Sequence, residues 1–304
     1  MKNTDPRVSV VVLTHKRPQE LERTLRHLEA LPEAPALIVV DNGASPATAE
    51  VVRRFERAQL VCCPGNLGAA GRNHGVELVR TPYVAFCDDD TWWEPGALAR
   101  AVAVLDMYPR LGVLNAQVLV GPENRVDPAC KSMAASPLDS RGLPGPRLVS
   151  FMAGAVVMRA QAFREAGGYE PRFFLGAEEV LLGQDLMAAG WDMAYVPAVQ
   201  THHHPSPARD RRARQIVTTR NRFWLAWLRL PWRLAWHETR KVWRDGRAQG
   251  VLGAALCSAL AGLPWALARR RVLPRAVVEM VVKVHGGPPP ARRQRLAVLP
   301  GAQR

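Results

Sequence analysis

The sequence predicts an α/β domain, a mostly parallel sheet with helices on both faces, followed by a basic helical extension. Three observations carry that prediction. Over residues 8–90, four short apolar, β-rich runs alternate with segments of helical periodicity. Each run stops at a polar loop, so a parallel arrangement brings all four loops to one edge, where ligands bind in such sheets. Charge is also unevenly shared. Residues 1–200 hold 20 Lys/Arg against 23 Asp/Glu, whereas residues 201–304 hold 21 against 4. A near-neutral body is thus set apart from a strongly basic tail.

Val8–Leu13 is the first strand, broken at Thr14–Pro18. The helix that follows, 19–31, spaces Leu21, Leu25, Leu28 and Leu31 along one face. Ala36–Val40 is the second strand and ends in Asp41-Asn42-Gly43. A helix over 47–57 buries Val51, Val52 and Phe55. Leu60–Cys63 is the third strand, followed by a loop from Pro64 to Gly75 and a short helix to Val79. Tyr83–Cys87 is the fourth, opened by Pro82 and ending in Asp88, Asp89 and Asp90. A helix over 92–104 opens at Glu94-Pro95, and Leu111–Val120 makes one or two strands. Residues 121–148 lack periodicity and read as a long loop beside the site. Phe151–Met158 is a further apolar run, in which Gly154 permits close backbone approach to a ligand. Gln161–Ala166 is a helix stopped by Gly167-Gly168. Glu178 and Glu179 stand at a helix start, and a strand over 195–199 precedes His202, His203 and His204.

Three adjacent carboxylates repel one another, and at a strand end they need a cation or hydrogen-bond donors to neutralise them. The triplet is therefore either a divalent-metal and sugar-nucleotide site or a solvated acidic turn. Glu178 and Glu179 admit plain helix capping as well as chemistry. The glycines at 65, 68 and 71 do not form G-x-G-x-x-G and follow the third strand, which excludes a dinucleotide fingerprint. No G-x-x-x-x-G-K-[ST] is present, which excludes a P-loop. With 48% hydrophobic residues the chain has a core to bury. Its five cysteines are odd in number and lack C-x-x-C spacing, which predicts a reducing, cytoplasmic-side setting. The N-terminus shows no signal-peptide pattern.

Taken in order, these motifs resemble family-2 glycosyltransferases of the GT-A fold, over roughly residues 6–230. Val8–Leu13 with Thr14 and Arg17 looks like the family's opening strand and loop. Asp41-Asn42-Gly43 looks like its nucleotide loop, and Asn66-Leu-Gly68-Ala-Ala-Gly-Arg72-Asn73 is similar to its N-x-G-x-x-x-R-N loop. Asp88-Asp89-Asp90 takes the place of its D-x-D motif, Glu178-Glu179 that of its acidic pair, and His202–His204 that of a histidine after a strand. The resemblance implies sugar transfer from a nucleotide-diphosphate donor to an acceptor hydroxyl, with inversion. It implies Mn²⁺ or Mg²⁺, held by Asp90, Asp88 and a histidine, His202 or His203. The remaining acid, Asp89, would contact the ribose, and Glu179, with Glu178 in reserve, would take the acceptor's proton. The family more often has Asp at the second acid, so Glu179 reaches about one methylene further. Arg72 would pair with a phosphate or with an acid. Trp92, Trp93 and Trp191 would stack on a sugar or pack in the core. A non-catalytic sugar-nucleotide scaffold and a nucleotidyltransferase are the alternatives. The latter would need a glycine-rich triphosphate loop, and Thr14–Pro18 has no glycine.

After residue 210 the composition changes. Eleven Lys/Arg between 211 and 247 interleave with Trp224, Trp227, Trp232, Trp236 and Trp243. That mixture suits a lipid head-group layer, so an anionic membrane surface is an expected partner and nucleic acid is not. Residues 250–268 are uncharged, but Pro264 and basic flanks on both ends disfavour a span. The favoured placement is an interfacial helix; packing against the body is the next. The expected divisions are a GT-A domain over 1–210, a helical extension over 211–285 and a disordered tail over 286–304. The expected setting is cytoplasmic, peripheral at the inner face of the membrane, with a lipid-linked or glycan acceptor.

Overall fold

The computed structural model describes residues 7–205 and 211–287. Its first half winds in the predicted alternation: β1 (Val8–Thr14), α1 (Pro18–Glu29), β2 (Ala36–Asp41), α2 (Pro46–Val52), β3 (Ala58–Cys62), α3 (Gly71–Leu78) and β4 (Tyr83–Asp88). Next come β5 (Thr91–Trp93), α4 (Ala97–Met107), β6 (Leu111–Val120), β7 (Arg125–Val126), α5 (Pro128–Ala134), β8 (Val156–Arg159), α6 (Ala160–Glu165), α7 (Glu178–Ala188) and β9 (Asp192–His203). The chain closes with α8 (Arg211–Arg229), α9 (Trp232–Ala248), α10 (Leu252–Ala268) and α11 (Arg275–His285).

The sheet runs β3-β2-β1-β4-β8-β6-β9-β5, with β7 paired to β6. The four N-terminal strands are mutually parallel, with Thr14 beside Asp41 and Leu13 beside Asp88. Their C-terminal loops therefore meet at one edge. Because strand side chains alternate between faces, the continuous apolar runs feed two cores. Val10, Val12, Val39, Ala85 and Cys87 pack under α1, α2 and α4. Val11, Val40, Val84 and Phe86 pack on the other face, under α3, α6 and α7. On α1, Pro18 opens the helix and Leu21, Leu25 and Leu28 are fully buried. The i, i+4, i+7 spacing accounts for this.

Several local expectations differ from what forms. Trp92 and Trp93 are in β5 and the following helix begins only at Ala97, because pairing with β9 outweighs their place before Pro95. Within the expected long loop, Asp127 caps α5, its carboxylate accepting from Ala129 N at 2.8 Å, with Pro128 at the first turn. The apolar run 151–158 is a strand only from Val156; residues before it turn into the cleft. His202 and His203 lie within β9, not after it.

The C-terminal helices dock on the body. Ala226, Leu230, Leu234, Ala235, Val277, Val278 and Val281 join the same core as Phe86 and Leu186. One face of helix α10 packs on the body: Ala255, Ala259, Gly262 and Ala266 are buried, while Leu260 and Leu267 are exposed. At Gly262 a Cβ would lie 2.2 Å from Trp224 Cζ2, so only glycine admits the ring. Trp224 Nε1 donates to Ala259 O at 2.9 Å. Among the described residues, no helix is long and apolar enough to cross a membrane. All five cysteines are free. The predicted domain boundary falls within 206–210, and the predicted tail lies outside the described residues from 288 onward.

Candidate active site

The converging loops enclose a cleft of about 760 Å³. Thr14, Arg17, Asn42, Asn66, Gly68, Arg72, Asp88, Asp89, Asp90, Glu178, Glu179 and His203 all line it. The aspartates share an address but differ in surroundings. Asp89 is buried; its carboxylate accepts from Thr14 Oγ1 at 2.9 Å and from Arg17 at 3.3 Å, and Thr24 Oγ1 donates to its carbonyl at 2.7 Å. Burial pushes this acid up to about 7, against the pull of Arg17 and with the push of Asp90 and Asp88. Asp90 is fully buried, its Oδ2 3.7 Å from Arg17 and its Oδ1 3.6 Å from His203 Nε2. Asp88 pairs with the buried guanidinium of Arg72.

Pairing of β5 with β9 sets Thr91 opposite His203 and Trp92 opposite His202. Strand alternation then separates the two histidines. His203 faces Asp90. His202 turns to the other side, where it pairs with Glu94, meets Asn124 Oδ1 at 3.1 Å and stacks on Trp92. His202 is therefore removed from the expected metal ligands. Asp41 is also removed from the cleft: its carboxylate accepts from Gly43 N at 2.7 Å and Ser45 N at 2.8 Å, shaping the loop. Asn73 is likewise structural, exchanging hydrogen bonds with Tyr169 at 2.8 and 2.9 Å. None of the three tryptophans lines the cleft. Trp93 is in the core, Trp92 stacks with His27 at 4.2 Å, and Trp191 Nε1 donates to Glu165 at 2.9 Å.

Gly68 locks the glycine-rich loop to the segment before α7. It has φ 59°, and a Cβ there would lie 2.0 Å from Phe174 O. Ala69 N donates to that same oxygen at 2.7 Å. Asn42 Nδ2 holds Gly68 O at 2.8 Å. From α8, the buried Asn221 carboxamide donates to Phe173 O at 2.7 Å, Leu175 O at 3.2 Å and Gly176 O at 2.6 Å. The first turn of α7 is thereby fixed, with Glu178 buried and Glu179 half-buried on the cleft. Burial raises both acids above the carboxylate range, and Glu178 is raised further by its neighbour.

Among the described residues, no three His, Cys, Asp or Glu side chains gather closely enough to enclose an ion. Asp90 and His203, an oxygen and an imidazole donor 3.6 Å apart, nonetheless fit a cation that completes its shell with phosphate oxygens and water. Among the titratable cleft residues, His15, Asp127 and, from the basic tail, Arg214 were not singled out from the sequence. Their proximity depends on long-range packing, and no local pattern marks it.

A parallel sheet whose loops gather acids, an arginine and a histidine around one cleft defines a nucleotide-sugar transferase of the GT-A class. The chain belongs to glycosyl transferase family 2, whose model matches residues 9–165. It is 26% identical to an N-acetylglucosaminyl-diphospho-decaprenol L-rhamnosyltransferase of Mycobacterium tuberculosis, covering 66% of this chain and 77% of that one. It is 27% identical to the succinoglycan biosynthesis protein ExoU of Rhizobium meliloti, covering 59% and 54%. A solved mannosyltransferase from Pyrobaculum calidifontis, in complex with GDP-Man and Mn²⁺, shares the fold. Its TM-score is 0.58 at 19% identity, covering 95% of this chain and 78% of that one.

Proposed function

We propose that the protein is an inverting, metal-dependent enzyme of envelope polysaccharide synthesis. It moves a hexosyl or deoxyhexosyl unit from a nucleoside-diphosphate donor to a hydroxyl of a lipid-linked acceptor. The observation that carries this reading is the shared cleft, in which the Glu178–Glu179 pair and the Asp90–His203 pair face the same space. The named substrate of the mycobacterial relative, a diphospho-decaprenol, supports the acceptor class.

Asp90 and His203 would hold Mn²⁺ or Mg²⁺, which supplies Lewis-acid stabilisation of the departing diphosphate's charge. Arg17 and Arg214, both on the cleft, favour the donor's anionic end. Thr14, Asn42, Asn66, Gly68 and Asp89 line the donor pocket, with Asp89 assigned to the ribose. Glu179 accepts the acceptor hydroxyl's proton, with Glu178 beside it in reserve. Asp88 acts through Arg72, orienting that guanidinium beside the acid pair.

The test is transfer from a panel of nucleoside-diphosphate sugars to a prenyl-diphosphate-linked acceptor, with and without Mn²⁺. Transfer of one sugar with inverted anomeric configuration is expected. Neither transfer nor donor hydrolysis across the panel would instead favour a non-catalytic scaffold.

Membrane placement belongs to the same proposal. On α9, Trp232, Trp236 and Trp243 are 55%, 53% and 45% exposed. Arg233, Arg240, Arg244 and Arg247 are exposed beside them. Large apolar rings left in water next to cations suit an anionic lipid surface. The protein should float with anionic vesicles, and the Trp232→Ser, Trp236→Ser, Trp243→Ser variant should stay in the soluble fraction. Equal flotation of the two would remove α9 from the contact.

A further inference from the structure

Behind the first turn of α7 lies a second cavity, of about 320 Å³, within the ~300–1,000 Å³ of ligand pockets. Ala177, Val180 and Gln184 face it at helical spacing, while Glu178 and Glu179 face the catalytic cleft. The two spaces are therefore neighbours across one helical turn. Helices α8, α9 and α11 supply the other walls, which are largely apolar.

Two polar features mark the cavity as a binding site. Gln184 is 2% exposed, and its Oε1 has no hydrogen-bond partner. A buried amide without a partner can, by rotating, present either its oxygen or its amino group to a ligand. The wall also carries Arg222 and Lys241, with Glu238 as its acid. Arg222 pairs with Asp245 at 2.9 Å, and Lys241 Nζ donates to His285 O at 3.3 Å. Apolar walls with a cationic margin match a hydrocarbon chain ending in phosphate.

We propose that this cavity receives the phosphate-proximal end of the acceptor's prenyl chain, with its phosphates at the Arg222–Lys241 margin. This rests on the acceptor reading above. The position suits it: α9 turns Leu234, Lys241 and Val242 to the cavity and its exposed tryptophans outward. A chain leaving a bilayer at α9 would enter the cavity and place its sugar toward the cleft beyond Ala177.

The probe is farnesyl diphosphate, titrated onto the full chain by calorimetry. Val282→Phe fills the void from a half-buried wall position, and Ala226→Leu fills it from a buried one. Farnesyl diphosphate should bind at least about tenfold more weakly to either variant, with nucleotide-sugar affinity unchanged. A photoreactive farnesyl diphosphate should label peptides of α8, α9 or α11 in the unmodified protein, a readout independent of how the variants fold. Wild-type affinity in both variants, labelling confined to the cleft, or equal competition by pyrophosphate would overturn the proposal. Displacement by phosphatidylglycerol at equal concentration would assign the cavity to a phospholipid chain and overturn it too. Donor binding separates the two readings. If donor binds and farnesyl diphosphate does not, this inference fails and the transferase reading stands. If the chain binds here but no sugar is transferred, the transferase reading fails alone.

Discussion

Glu179→Gln should lower kcat by about 10²–10⁴-fold, the range of a lost general base, while donor affinity is kept. The substitution preserves shape and removes the only function assigned to the group, acceptance of a proton. Burial holds Glu179 above the usual carboxylate range, so wild-type kcat should climb with pH beyond the range in which an ordinary carboxylate ionises, whereas the variant's residual rate should not. Stability moves the other way. Glu178 is raised from the ordinary carboxylate range to about 8 by burial and by Glu179. A raised acid binds protons more tightly in the folded state, so its contribution is full below the unfolded value. It is lost as pH rises through the folded one. Thermal melts should therefore show stability falling toward about pH 8, and Glu178→Gln should flatten that fall. A pH-independent wild-type kcat, or full activity in Glu179→Gln, would remove the acid pair from the chemistry.

Asp90→Asn should abolish Mn²⁺ dependence and lower kcat/KM by about 10³-fold, about 4 kcal/mol of transition-state stabilisation. The side chain is fully buried and nearly isosteric with its replacement, so the fold should survive. Its backbone carbonyl, which accepts from His204 N at 2.9 Å, is untouched. Calorimetric titration with Mn²⁺ should show weakened binding in Asp90→Asn and in His203→Ala. His202→Ala is the control: its ring is turned to Trp92 and Glu94, so Mn²⁺ affinity should not change. Equal loss in the two histidine variants would contradict the division that strand alternation makes between them.

The difference between those two histidines shows where reading the chain stops. As letters, His202 and His203 are equivalent. In space they occupy opposite faces of β9, and register with β5 decides which one meets Asp90. Asp41 makes the same point: an acid at a strand end suggests a ligand contact, yet two backbone amides consume its carboxylate. Arg214 lies in a stretch whose composition suggested lipid, and only the docking of α8 brings it to the cleft.

Periodicity and punctuation are local, so the sequence by itself determined the alternation of strands and helices. It also determined the convergence of loops at one sheet edge and singled out the acidic triplet and the acid pair, which line one cleft. Partnership is not local. Whether an acid meets a cation, a backbone amide or open cleft depends on which remote segment packs against it. The tertiary structure alone decided that Asp88 is bound to Arg72, that Asn221 braces the turn before Glu178, and that α10 packs against Trp224. The physical reason is that hydrogen bonds and ion pairs act over a few ångströms, between residues that the chain holds far apart until it folds.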